Sequence, residues 1–587
     1  MDSQAHILPR EKGPAKAVSS AAALQRKREF IIVGTGVLIA LIFLATVIGS
    51  LAADGTLRDS THSADADTNT APDTLTHTHT NSTPTATPAP AIVNSTSASN
   101  NGTVFFKSDC ARISNIPADV KGTFMDMTTW IDSANFNCTW TNVTVGNLSI
   151  AGLNSTWDDS VRANPFVPPL NTSWGSYTAR PVRGVNLGGW LSLEPFITPS
   201  LFDYPASAGI VDEYTLSKYL GANASSVLEA HYASFITEAD FAAIAAAGLD
   251  HVRIPYSYWA VTTYPGDPYV RGVSWRYLLI GIEWARKYGL RVNLDLHAVP
   301  GSQNGWNHSG RVGNVTWILG GATGALNRER TLQIHKQLAT FFAQPRYANI
   351  VDFYGQVNEP SASIPTAALE QWTKDAYAVI RDAGFTGLQT FSDGLRGVQA
   401  WDGMFNGYND TLVIDTHLYA IFAKSLLTLT RPQKISYACS DWADASTADL
   451  ADFGPTLVGE WSVADNDCTW ALNGVNGGSR WDGTYAGTDG ASWCPTQNAS
   501  CTCAVVDRGV DAFVPEYKAF LSTWASAQMD AFERTWGWFY WTWKTENAPL
   551  FSYKAGMEAG FLPQVAYNRS WSCSNSTPSF GGLAEYE

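Results

Sequence analysis

Leu290-Arg291-Val292-Asn293-Leu294-Asp295-Leu296-His297 alternates without a break between aliphatic and polar residues. A period of two puts Leu290, Val292, Leu294 and Leu296 on one face of a strand, and Arg291, Asn293, Asp295 and His297 on the other. The segment just before it has the helical period instead. Trp275, Leu278, Leu279, Ile282 and Ala285 form one stripe that starts beside Ser274 and stops at Gly289. Leu369, Trp372, Ala376, Val379 and Ile380 repeat the pattern and end at Gly384.

From Ala179 onward, short apolar strands alternate with helices in this way, the mark of a parallel sheet with crossover helices. The strands predicted are Val182–Leu191, His251–Pro255, Leu290–His297, Ile350–Asn358, Leu388–Ser392, Leu412–His417, Thr456–Trp461 and Trp536–Trp543. Eight is the number that closes a (β/α)8 TIM barrel, with one set of side chains toward the axis and the other toward the helices. The rival is an open doubly wound sheet, but Val185-Asn-Leu-Gly-Gly-Trp190 lacks the spacing of a glycine-rich phosphate turn.

Barrel chemistry is carried at the C-terminal ends of different strands. Two glutamates stand there: Glu359 after Gln356-Val-Asn, and Glu460 after Leu457-Val-Gly. A carboxylate following so apolar a strand needs partners or a raised pKa, and two facing one pocket can divide the work of acid and nucleophile. Glycoside hydrolysis needs such a pair, with its stereochemistry set by their separation. Two buried ion pairs are the structural alternative.

Composition points the same way. Charged residues make up 16% of the 587, against roughly 25% in an average globular protein, while 23 are Trp and aromatics reach 12%. The net charge of −15 argues against a partner bound through phosphates, so no nucleic acid is expected. Neutral, ring-stacking ligands such as sugars suit this surface. No metal or other cofactor is expected: Cys501-Thr-Cys503 lacks zinc-ligand spacing, and the Thr-His-Thr-His-Thr tract at 76–80 stands alone.

Phe30 to Ala53 is a 24-residue run without charge, preceded by Arg26-Lys27-Arg28. About 20 apolar residues cross a bilayer, and flanking basic residues hold their side in the cytoplasm. Residues 1–29 are expected as a cytoplasmic tail, 30–53 as a transmembrane signal-anchor, and the rest outside the cell membrane in a single-pass type II arrangement. A cleaved signal peptide ending near Ser50-Leu51-Ala52 competes with this reading. All eight cysteines follow the run, as an oxidising compartment allows, with pairing left open. Asn-x-Ser/Thr acceptors are dense there, among them Asn81, Asn94, Asn101, Asn137, Asn142, Asn147, Asn154, Asn171, Asn568 and Asn575. Residues 54–103, rich in Ser, Thr, Ala and Pro, read as a disordered, glycosylated stalk. Residues 104–178 form an N-terminal extension of unread periodicity, and 179–587 the barrel.

The ordered set Arg183-Gly-Val-Asn-Leu-Gly-Gly-Trp190, Leu193-Glu-Pro195, Val252-Arg-Ile-Pro255, Asp295-Leu-His297, Pro300-Gly-Ser-Gln-Asn-Gly305, Asn358-Glu-Pro360, Gly459-Glu-Trp461 and Trp541-Thr-Trp-Lys-Thr-Glu-Asn547 resembles the fungal exo-β-1,3-glucanases of glycoside hydrolase family 5. The resemblance spans roughly residues 165 to 575 and implies a retaining (β/α)8 enzyme. It implies Glu359 as acid/base, Glu460 as nucleophile, and Asn358 bonded to the sugar 2-hydroxyl. Arg253 and Tyr419 would flank the nucleophile. His297, His417 and Glu194 would line the glucose subsite over a Trp541 floor, with Trp306 and Phe422 at the mouth.

This chain departs from that family at Asn307-His308, where Asp-Asn is usual, at Thr416, where His is frequent, and in the cysteine-bearing insertion at 494–503. The first departure also creates an Asn307-His-Ser309 acceptor, expected to stay unoccupied. The expected function is retaining release of glucose from non-reducing ends of β-1,3-glucan in cell wall remodelling, by a monomer. A β-1,6- or β-1,4-glucan hydrolase on the same fold and a non-catalytic wall-binding protein are the alternatives.

Overall fold

The computed structural model describes residues 109–585 except 132–135 and 409–410. The expected tail, anchor and stalk lie outside the described residues; among the described ones no helix is long and apolar enough to cross a membrane.

Eight parallel strands close into a barrel: β1 (Val182–Asn186), β2 (His251–Ser257), β3 (Arg291–Ala298), β4 (Val351–Gly355), β5 (Leu388–Ser392), β6 (Leu412–Leu418), β7 (Thr456–Trp461) and β8 (Gly537–Tyr540). All eight coincide with predicted strands. Three are shorter than expected, because the chain leaves the ladder early. After β1 the pair Gly188-Gly189 turns away, Gly189 at φ +70°. After β4 the chain still bonds its neighbours, Gln356 N–H to Thr390 O at 2.9 Å and Asn358 N–H to Leu296 O at 3.2 Å, but in irregular geometry.

Helices cover most crossovers, including Val273–Lys287 before β3, Ala322–Phe342 before β4, Thr366–Asp382 before β5 and Pro515–Phe532 before β8. The first begins at Gly272 rather than at Ser274, which lies buried inside it. Among the described residues, the β5–β6 crossover has only a 3-10 turn at Val398–Trp401. Gly394, Gly397, Gly403 and Gly407, all at positive φ, make a continuous helix costly there.

Residues before β1 pack beneath the N-terminal ends of the strands. Tyr177 stacks on Trp536 at 4.6 Å and donates to Asp352 Oδ2 at 2.9 Å, closing an apolar plug of Val182, Phe353, Val413, Leu457 and Phe539. Asp159 pairs with Arg286, and Arg346 donates to the carbonyls of Leu153 and Ser155 at 3.0 and 2.8 Å. All eight cysteines are paired: Cys110–Cys138, Cys439–Cys573, Cys468–Cys503 and Cys494–Cys501. The last two bonds lie in the segment that follows β7.

Gly289 joins this packing to the helix end. It sits at φ +69°, and a Cβ there would come within 2.3 Å of the Arg162 carbonyl carbon. Gly289→Ala is expected to destabilise the fold by more than about 1 kcal/mol, read as a lowered urea midpoint with an unchanged m-value.

Candidate active site

The axis-facing side chains converge on one guanidinium. Arg253 of β2 donates at 2.9 Å to Asn186 Oδ1, Glu460 Oε1 and Asn358 Oδ1. It also lies 3.2 Å from Asp295 and 3.7 Å from Asp415. These partners come from β1, β3, β6, β7 and the segment after β4, so the cation ties together most of the barrel. A buried charge is stable only when paired and hydrogen-bonded in this way, and the surrounding carboxylates raise Arg253 further above its ordinary pKa despite its burial.

Glu460, inside β7, accepts from fixed donors on both oxygens: Arg253 on Oε1, and the Tyr419 hydroxyl on Oε2 at 2.9 Å. Glu359 lies four residues beyond β4 at φ +42°, a conformation uncommon for a non-glycine residue. Its backbone is gripped from the next loop: Gln303 Nε2 donates to Asn358 O at 3.0 Å, and Asn304 Nδ2 to Glu359 O at 3.2 Å. His417 Nδ1 donates to Glu359 Oε1 at 2.6 Å, and His308 Nε2 stands 3.4 Å from Oε2. One atom each of Glu359, His417 and Glu460 falls within 4.8 Å of the others.

Charge is divided unequally here. Burial, with the Glu359 charge beside it, raises Glu460 above the ordinary carboxyl range against the pull of His417 and Arg253. Burial also works on Glu359, but the His417 hydrogen bond and the imidazoles of His417, His308 and His297 around it carry it down to about 2. Burial lowers His417, yet Glu460, Asp415 and Glu359 together raise it well above the usual imidazole value. His417 is therefore the donor and Glu359 the acceptor of their hydrogen bond.

The remaining predicted residues surround this centre. His297 is oriented by Asp295 at 2.7 Å and lies nearly parallel to Trp541, at 14° and 5.5 Å between rings. Trp541 is buried just after β8, and its peptide to Thr542 is cis. Glu194 is buried, no donor among the described residues reaches its carboxyl, and burial beside Glu460, Glu359 and Asp295 raises it well above the ordinary range. Trp306 and Phe422 are 49% and 44% exposed, and among the described residues neither ring touches the other. Phe422 packs edge-on against Tyr419 at 5.6 Å, with Arg480 5.5 Å from its ring.

The profile of Cellulase (glycosyl hydrolase family 5) matches residues 218–547, more than half of the chain. The chain belongs to this family. It is 50% identical over 501 residues to "Probable glucan 1,3-beta-glucosidase D" of Aspergillus clavatus and 51% identical over 501 residues to the protein of that name from Aspergillus fumigatus. Each alignment covers 84% of this chain, which spans about 60% of the length of those relatives. Among solved structures, rutinosidase from Aspergillus niger matches 66% of this chain and 99% of its own with a TM-score of 0.51 at 20% identity, a likeness of fold.

Within this family 5 barrel, sequence reasoning missed the supports more than the centre. Asn186 and Asp415 carried no local signal. Asp295 was legible as the polar neighbour of His297 on the axis-facing set. Gln303 and Asn304 stood inside a quoted motif without a role. Thr416 turns away from the centre and donates to Asp393 Oδ2 at 3.2 Å. Asn307 is buried, and the Ser309 hydroxyl is held by Ser302 Oγ at 2.6 Å and Trp306 O at 2.7 Å.

Arg253→Met leaves Asp295, Asp415 and Glu460 without their shared cation and is expected to cost about 3–5 kcal/mol of stability. Asp295, buried, is held below its ordinary value by Arg253 and His297. The stability from that shift is present above the unfolded-state value of about 3.9 and is lost as pH falls through the folded one. Denaturant titrations should therefore show the gap between wild type and variant narrowing in acid.

Proposed function

We propose that the chain is a retaining exo-β-1,3-glucanase, a glucan 1,3-beta-glucosidase that releases glucose from non-reducing ends. The observation that carries the proposal is the approach of a Glu359 oxygen to within 4.8 Å of a Glu460 oxygen. So close an approach supports the short separation of retaining enzymes, about 5–5.5 Å between carboxyls, over the roughly 6.5–9.5 Å that leaves room for a water. The names of the Aspergillus relatives supply the substrate class.

In the first step a Glu460 oxygen bonds to the anomeric carbon as the glycosidic C–O bond breaks, and the proton held by Glu359 and His417 passes to the leaving oxygen. In the second, water attacks the same carbon, yields its proton to Glu359, and frees Glu460. Arg253 and Tyr419 keep Glu460 ionised for attack, because neither can take a proton from it in exchange. Asn358, its Oδ1 fixed by Arg253, offers its amide to the 2-hydroxyl, where a bond strengthens in the transition state. Glu194, as a neutral acid, both donates to and accepts from a sugar hydroxyl. Trp541 offers the ring a flat floor, and Trp306 and Phe422 grip the next unit.

The protein works at the cell surface as a monomer, held by residues 30–53 and acting on wall glucan; no cofactor takes part. Its acceptor residues Asn137, Asn142, Asn147, Asn154, Asn171, Asn568 and Asn575 are exposed, as glycosylation requires. Alkaline carbonate extraction should leave the full-length chain in the membrane pellet, and release into the supernatant would remove the anchor from the account.

Wild type should release β-glucose from laminarin, seen by proton NMR before mutarotation, with less from pustulan or cello-oligosaccharides. Glu359→Gln and Glu460→Gln should each lose about 10²–10⁴-fold or more on glucan. Equal release by all three, or α-glucose as first product, contradicts the proposal. The pH profile of kcat/KM should be bell-shaped. Activity rises as the raised Glu460 ionises and falls only above the usual imidazole range, where the proton shared with His417 is lost.

A further inference from the structure

Glu359 carries a histidine on each carboxyl oxygen, and only one of them, His417, was expected near the subsite. The other, His308, stands where the resembled family has Asn. It lies on a short 3-10 turn, Asn307–Ser309, between Trp306 and Gly310, which is at φ +82°. The turn is pinned by the bonds of Ser309 to Ser302 and to Trp306 O. Ring contacts at 5.5 Å to Trp306 and 5.4 Å to His297 fix the imidazole plane. Its Nδ1 is buried with no partner among the described residues, and its Nε2 faces Glu359 Oε2 at 3.4 Å, an electrostatic contact longer than a strong hydrogen bond. Among the described residues, then, the one ionic contact of the His308 imidazole is with the oxygen that His417 leaves free.

Burial, with the nearby His297 and His417, lowers His308 to about 4 against the pull of the Glu359 carboxylate, so it is neutral above that pH. A neutral imidazole can donate to a carboxylate or accept from a carboxylic acid, according to tautomer. Either suits a group that must give up a proton in one step and recover it in the next.

We propose that His308 is a positioning residue for Glu359, one that holds the second carboxyl oxygen and favours its ionised form. The proposal rests on Glu359 being the acid/base. The other charged or titratable groups facing this pair are Asp295 and His297 from β3, His417 and Asp415 from β6, Tyr419 beyond it, Glu460 from β7, Arg253 from β2, and Glu194 beyond β1. All of these are retained in the His308 variants, so a shift on its removal is attributed to His308. By supporting the carboxylate, His308 weakens the site's hold on the proton. Its loss should tighten that hold and move the alkaline limb of activity upward.

The test compares wild type with His308→Ala and His308→Asn. It measures kcat/KM against pH on an aryl β-glucoside and on laminaribiose, with thermal melting to establish folding. The alkaline limb should rise by about half a unit or more in His308→Ala, less in His308→Asn, whose amide can still donate, and return toward wild type when imidazole is added. The loss should fall on kcat, with KM nearly unchanged. Coincident limbs in both variants overturn the proposal, as does a uniform loss of activity without a shift; if His308→Ala does not fold, His308→Asn decides. Glu359→Gln, run alongside, separates the two readings. Full activity in that variant overturns the acid/base assignment itself, whereas its inactivity with unmoved His308 profiles overturns only the present proposal.

Discussion

One buried guanidinium organises this barrel. Arg253 enters from β2 and meets side chains from β1, β3, β6, β7 and the turn after β4. In so dry a setting each partner is held in place, because a displaced one would leave a charge unpaired. The nucleophile candidate, the amide of Asn358 and the Asp295 that orients His297 are fixed by the same group. Loops carrying Glu359, Trp306 and Phe422 then attach to a centre that is already rigid.

Two carboxyls in one pocket are made unlike by what touches them. Glu460 receives an arginine and a phenol, neither of which can take a proton from it. Glu359 receives two imidazoles, which can. The first holds both oxygens of Glu460 with fixed donors, and the second surrounds Glu359 with groups that exchange protons, so the two carboxyls are suited to different parts of acid and nucleophile chemistry. The short distance between the two makes their protonation states interdependent, so a change at either carboxyl is felt at the other.

Much of this was legible in the amino-acid order. Strict alternation from Leu290 to His297 predicted β3 to within a residue at each end, and the other strands were located as short apolar runs between helical segments, because a barrel strand is buried on both faces. Strand ends were less legible. Where Glu359 stands at positive φ, side chains 55 residues away in sequence hold the backbone, and no local pattern reports that. Among the described residues the β5–β6 crossover has no α-helix, and the positive-φ glycines that disfavour one there were not read from the sequence. His308 was noticed only as part of the departure from the resembled motif at Asn307-His308, since only the folded loop shows which oxygen it faces. The disulfide pairing needed the fold as well.

The central claim is that Glu460 becomes covalently bonded to the sugar during turnover. Incubation with a 2-deoxy-2-fluoro-β-glucoside bearing a good leaving group, followed by intact-mass and peptide mass spectrometry, tests it directly. The account predicts one fluoroglucosyl unit per chain, on the peptide containing Glu460, with activity lost in proportion and regained on adding an acceptor sugar. An adduct on another carboxylate, or turnover of the reagent with no adduct at all, would contradict it.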